Sequence, residues 1–87
     1  MKEDEKTFFV IIYKFCRHDS VIRRRDGALF TPREIINVIE PWMHHKRCWY
    51  LLKKWAGIGF YDYGVTLDLG WIYRNNLPER YKVLVEE

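Results

Sequence analysis

The stretch "TPREIINVIEP", residues 31–41, fixes one helix at both ends, and that constrains the rest of the chain. Thr31 reads as an N-cap whose hydroxyl can accept the amide three residues on. Glu34 sits where a carboxylate reaches back to the cap amide, and Pro32 takes the first helical position, where its fixed φ and missing N–H cost nothing. Pro41 disfavours a helical conformation at Glu40 and so ends the helix there. Ile35, Val38 and Ile39 give this helix its apolar stripe. A second apolar pattern follows almost at once: Cys48, Leu51, Leu52 and Trp55 fall at i, i+3, i+4 and i+7. These two helices, helix 2 and helix 3 in chain order, are joined only by a tight turn at Pro41-Trp42. Helix 3 is expected over about 43–56, with Gly57 and Gly59 ending it.

Upstream, Phe8, Ile11, Ile12 and Phe15 repeat the same spacing and predict helix 1 at about 5–17, capped by Asp4 or Thr7. "HDSVIRRRDGALF" breaks the pattern. Asp26-Gly27 marks a turn, and the short apolar run after it suggests a small strand at about 28–30. Downstream, "FYDYGVTLDLGWIYR" alternates and predicts a hairpin with strands near 59–66 and 70–74. Its tip falls at Leu67-Asp68-Leu69-Gly70, with Gly70 suited to a left-handed position. The end, "NLPERYKVLVEE", supports two readings. Asn76, Pro78 and Glu79 signal a helix start, with Leu77, Tyr81, Leu84 and Val85 on one face, whereas Tyr81, Val83 and Val85 alternate as a strand would. The helix is favoured for residues 77–87.

Eighty-seven residues make one domain, 1–87, too short for a second core. Aromatics form 17% of the chain and hydrophobic residues 48%, which argues against disorder. Two cysteines are too few for a disulfide-stapled scaffold. The charged start "MKEDEK" precedes only a five-residue apolar run, so a secretory leader is not expected. No stretch approaches the ~20 apolar residues of a membrane span. A cytoplasmic protein is the economical expectation.

The net charge of +3 is unevenly distributed. Residues 14–54 carry ten bases and four acids, a local +6, and the remainder carries five bases and eight acids, a local −3. A basic middle between acidic ends suggests one positive face and an anionic partner.

The element order and the stretch "EIINVIEPWMHHKRCWYLLKKWAGIGFYDYG", residues 34–64, resemble the winged helix-turn-helix DNA-binding domain of bacterial transcription regulators. "LLKK…GFYDYG" is similar to the end of that family's recognition helix as it enters the first wing strand. The resemblance covers about three quarters of the chain. It implies an α+β fold with a three-helix core, a short strand, a hairpin wing and a C-terminal helix. It further implies that helix 3 is the recognition helix and lies in the major groove of double-stranded DNA. The function implied is transcription regulation or mobile-element maintenance. Two departures stand out. The turn between helices 2 and 3 holds Pro41 and Trp42 where the family more often has small or polar residues. The wing tip carries Asp68 and no Lys or Arg, so a wing that grips phosphate is not expected; removing Asp68 should leave DNA binding unchanged or tighten it.

At 100° per residue the face of helix 3 opposite its apolar stripe centres on Lys46, Tyr50 and Lys53, flanked by Arg47, Trp49 and Lys54. Lysines there suit phosphates, and Tyr50 or Arg47 suits base edges. The candidate DNA-binding set is therefore Lys46, Arg47, Trp49, Tyr50, Lys53, Lys54 and, at the start of helix 2, Arg33. The plain alternative is that any exposed helix carries lysines. The Arg23–Arg25 run reads equally as a phosphate clamp or as a solvated loop.

Competing readings are set by the remaining residues. Tyr61, Tyr63, Trp71 and Tyr73 exceed what two strands can hide, which favours a protein–protein interaction module that does not bind DNA. Together with the apolar face of "LPERYKVLV" they also suggest a homodimer. Cys16, His18, His44, His45 and Cys48 are potential zinc ligands, but no tight Cys-x-x-Cys pair accompanies them, and both cysteines fall in apolar stripes. No metal or other cofactor is expected. Nor is an enzyme: there is no glycine-rich phosphate loop, no supported nucleophile and little volume for a pocket, so no small-molecule substrate is evident.

Overall fold

The Thr31–Glu34 signal does what its chemistry predicts. The Glu34 carboxylate accepts the Thr31 backbone N–H at 3.3 Å and the Thr31 hydroxyl at 3.0 Å, and Pro32 opens α2, Pro32–Ile39. The computed structural model of the protein describes residues 1–86. Before α2 comes α1, Glu3–Phe15, and after it α3, His45–Ile58. Two short strands follow, β1 (Tyr61–Tyr63) and β2 (Gly70–Ile72), then a 3-10 turn at Arg74–Asn76 and the four-residue α4, Glu79–Lys82. The result is a small α+β domain with four α-helices and one antiparallel hairpin.

The start of α1 differs from expectation. Its N-cap is Lys2, with no side-chain cap, and Glu3, Asp4 and Glu5 occupy the first turn, where the helix dipole favours negative charge. α3 runs to Ile58. Gly57 is accommodated within it, and Gly59, at φ 111°, closes it by donating its N–H to the Trp55 carbonyl at 3.0 Å. Only a residue without a Cβ takes that conformation without strain.

The hairpin pairs Tyr61 with Ile72, Asp62 with Trp71 and Tyr63 with Gly70. Gly70 is required for a reason other than a left-handed turn, since its φ is not positive. A Cβ there would stand 2.1 Å from the Asp62 carbonyl oxygen, so the strands could not pair this closely. The strand expected at 28–30 does not form. The segment just after α1 takes the β2 edge instead: Ile72 donates to the Cys16 carbonyl at 2.9 Å and accepts from the His18 amide at 3.0 Å. Phe30 instead packs edge-on against Phe15, with ring centroids 5.5 Å apart.

The core joins all three long helices to the hairpin and α4. Phe8, Phe9, Ile12, Cys48, Leu51, Leu52, Trp55, Phe60, Ile72 and Tyr81 are fully buried. Phe9 is its aromatic centre, edge-on to Trp55 and Phe60 and 5.1 Å from Tyr81. The stripe of α2 is rotated from the expected one. Ile36 is buried beside Ile35 and Ile39, and Val38 is 68% exposed. The terminal segment is helical, but for one turn only. Tyr81 enters the core, and Leu77, Leu84 and Val85 pack partly against it. Val83 stays exposed. The face expected to meet a second copy is largely used within the domain. No helix among the described residues is long and apolar enough to cross a membrane.

Candidate nucleic-acid interface

The two helices of the candidate surface are held in place by ion pairs as well as by the core. His44 is the N-cap of α3; its Nδ1 accepts the Lys46 amide at 3.1 Å. Its ring stacks on His45 with centroids 4.4 Å apart. A ring nitrogen that accepts this bond must be unprotonated. His45 in turn approaches Glu40 at 3.8 Å.

The outward side of α3 has the composition its spacing predicts, but its cations are not equivalent. Lys46 and Lys53 are exposed and have no acidic partner among the described residues. Arg47 is half-buried and is held by Asp4 of α1 at 2.8 and 3.1 Å. Its hydrogen bonds to the Asp4 carboxyl keep that group below the usual carboxylate range. Arg47 also lies 5.4 Å over the Tyr50 ring. Lys54 donates to Glu5 at 2.9 Å. Trp49 and Tyr50 are both exposed, Tyr50 at 58%. The expected set thus separates into two free lysines, two exposed aromatics and two cations committed to α1.

Arg33 is committed as well. Its Nε and Nη2 clasp Asp68 at 2.8 and 3.2 Å, and its backbone N–H donates to the Asp68 carbonyl at 3.0 Å. Thr66 donates its hydroxyl to the same carboxylate at 2.9 Å. Asp68 is buried. Burial works to raise its carboxyl, but the hydrogen bonds from Arg33 and Thr66 outweigh it and hold the group below the usual range. This corrects the sequence reading of Asp68 as an exposed, repelled charge at the hairpin tip. It ties the hairpin loop to the first turn of α2, and its loss would loosen that junction.

The hairpin aromatics divide likewise. Tyr61 is buried, with its hydroxyl donating to the Leu67 carbonyl. Tyr73 is half-buried and stacks on His18 at 4.8 Å. Tyr63 and Trp71 remain exposed, and so does Trp42 in the α2–α3 turn, at 82%. Fewer hairpin aromatics face solvent than their number suggested.

The potential metal ligands do not converge. Cys16 is buried just past the end of α1 and Cys48 within α3, His18 faces the Ile72 carbonyl, and the two remaining histidines stack at the start of α3. Among the described residues no group of three His, Cys, Asp or Glu side chains is placed to hold a metal ion.

The sequence reading missed Glu5. It is 2% exposed, and its carboxylate accepts from Lys54 (2.9 Å), Trp55 Nε1 (3.1 Å) and the Tyr81 hydroxyl (2.6 Å). It joins α1, α3 and α4 at the base of the candidate surface. The spacing Glu5, Phe8, Phe9, Ile12 was the available signal: it places Glu5 on the core stripe despite the charged run around it.

No family model, no characterised protein and no solved structure significantly matches this chain.

Proposed function

We propose that this chain is a winged-helix domain that binds double-stranded DNA through the outward face of α3, in the service of transcription regulation or mobile-element maintenance. The observation that carries the reading is the exposed set Lys46, Trp49, Tyr50 and Lys53 on one side of a helix whose other side is fully buried. The element order and the two-helix unit joined at residues 40–44 support it. In this reading Lys46 and Lys53 neutralise phosphates, and Tyr50 meets base edges. Arg47 and Lys54 act on the helix from behind through Asp4 and Glu5, and Arg33 holds the hairpin through Asp68. Only two of the basic residues expected at DNA are therefore free to release counterions, so affinity and salt dependence are modest.

The second reading is a protein-interaction module without DNA binding. The exposure of Trp71 and Tyr63, on a hairpin with no Lys or Arg between Phe60 and Tyr73, favours it. Amide chemical shifts separate the two. On addition of a duplex of about 20 bp, two helical turns, the DNA reading expects the largest shifts at 44–54 and their neighbours. An unchanged spectrum at millimolar duplex would leave the interaction module as the better account.

A further inference from the structure

The arginine run between α1 and α2 is an ordered feature. Arg24 donates its amide to the Ala28 carbonyl at 2.8 Å, and Gly27 donates back to the Arg24 carbonyl at 2.9 Å. Asp26 accepts the Ala28 amide at 3.0 Å, and Gly27 takes φ 87°. These bonds close a tight turn. The Arg24 guanidinium then pins it to α2, donating to Glu34 at 2.9 Å and meeting Asp26 at 3.5 Å. The neighbouring Arg33 is clasped by Asp68 of the hairpin loop. The arginine turn, the first turn of α2 and the hairpin loop therefore lie side by side.

Charge in this row is unevenly spent. Arg24 and Arg33 are neutralised by acids, and the hairpin offers no cation of its own. Arg23 and Arg25 are exposed and have no acidic partner among the described residues. They flank the one arginine that anchors the turn. Two residues of chain span at most about 7 Å, so both guanidinium groups can reach the same short stretch of one DNA strand. Guanidinium forks bind phosphate oxygens in pairs.

We propose that Arg23 and Arg25 form a second contact to the phosphate backbone of a DNA duplex, taking the place of a basic hairpin tip. The proposal rests on the reading of α3 as the duplex-binding helix. A lipid surface is the weaker fit. Among the described residues the apolar side chains most fully presented near this row are two short valines, Val21 and Val65 of the hairpin loop, too little apolar surface for a stable membrane anchor.

The test uses the full chain and a labelled duplex of about 20 bp, titrated at several salt concentrations from about 50 to 200 mM. The variant Arg23→Ala/Arg25→Ala should bind more weakly and lower the slope of log K against log salt by about 1.8, or about 0.9 per lost contact. Arg23→Lys/Arg25→Lys should restore most of the slope. Both pairs should keep the wild-type circular dichroism, because the side chains are exposed. Arg23→Gln/Arg25→Gln repeats the test if the alanine pair misfolds. Lys46→Ala/Lys53→Ala is run in parallel. If that variant flattens the slope and the arginine variants do not, the arginine contact is refuted and the α3 reading stands. If only the arginine variants flatten it, the α3 reading fails, and with it the place of Arg23 and Arg25 as a second contact beside α3. Absence of duplex binding by the wild type overturns both. Arginine-dependent binding to phosphatidylserine vesicles without duplex binding assigns the turn to a membrane instead.

Discussion

Replacing Glu5 tests how the surface of α3 is supported. Its carboxylate is buried and receives three donors. In Glu5→Ala the Lys54 ammonium, about a third exposed, turns to water at little cost. Trp55 Nε1 and the Tyr81 hydroxyl cannot, because both residues are fully buried. Each buried donor left unpaired costs ~1–3 kcal/mol, and the lost side-chain packing adds to that, so a loss of about 3–5 kcal/mol is expected. A domain of this length has roughly 4–13 kcal/mol in total. At ~4–8 °C per kcal/mol, Tm should fall by at least about 12 °C in a thermal melt followed by circular dichroism. Glu5→Gln keeps one acceptor and should fall between. pH supplies a second reading. Burial works to raise the Glu5 carboxyl, but the hydrogen bonds from Tyr81, Lys54 and Trp55 outweigh it, and its pKa lies below the ordinary 4.5. Because the folded value is below the unfolded one, the stability Glu5 contributes is complete above pH 4.5 and is lost as pH falls through the folded value. The gap between wild type and Glu5→Ala should therefore be full at neutral pH and narrow in acid. A Tm loss under about 4 °C, equivalent to less than ~1 kcal/mol, would refute the account of Glu5 as the joint between α1, α3 and α4.

Other outcomes follow from particular contacts. Gly70→Ala forces a Cβ against the Asp62 carbonyl and should cost ~1–3 kcal/mol, read as a Tm drop of about 4 °C or more. Asp68→Ala should lower Tm by unfastening the hairpin loop and, by freeing Arg33, steepen the salt dependence of duplex binding by up to about 0.9; an unchanged Tm contradicts the clasp. Burial pushes the Cys16 thiol to about 12 and the Cys48 thiol to about 11, so a thiol reagent at pH 8 should label neither in the native protein and both in denaturant. Rapid native labelling of either would show that the core around it packs more loosely than described.

Local chemistry was legible in the chain, and long-range pairing was not. The Thr31–Glu34 box, the Pro41 stop and the inward stripe Cys48, Leu51, Leu52, Trp55 depend on neighbours within four residues, and all three appear as read. The direction of the α3 face follows from that stripe, so the exposure of Lys46, Tyr50 and Lys53 was legible too. Whether a cation on that face is free depends on acids 43 to 49 residues away, Asp4 for Arg47 and Glu5 for Lys54, and spacing carries no trace of them. The same holds for Asp68, whose partner is 35 residues upstream. Gly70 reads from the sequence as suited to a left-handed turn; the structure corrects this, because glycine is needed there for the approach of the facing strand and not for its own torsion angle. The expected strand at 28–30 does not form, and the β2 edge is taken instead by Cys16–His18.

The most direct test of the central claim is the salt dependence of duplex binding by wild type and by Lys46→Ala/Lys53→Ala, measured by fluorescence anisotropy on two unrelated duplexes. The account predicts measurable affinity of the wild type at about 50 mM salt on both duplexes, and a slope of log K against log salt lower by about 1.8 in the double variant. No affinity at that salt, or an equal slope in the two proteins, would contradict the assignment of α3 as the DNA-binding surface.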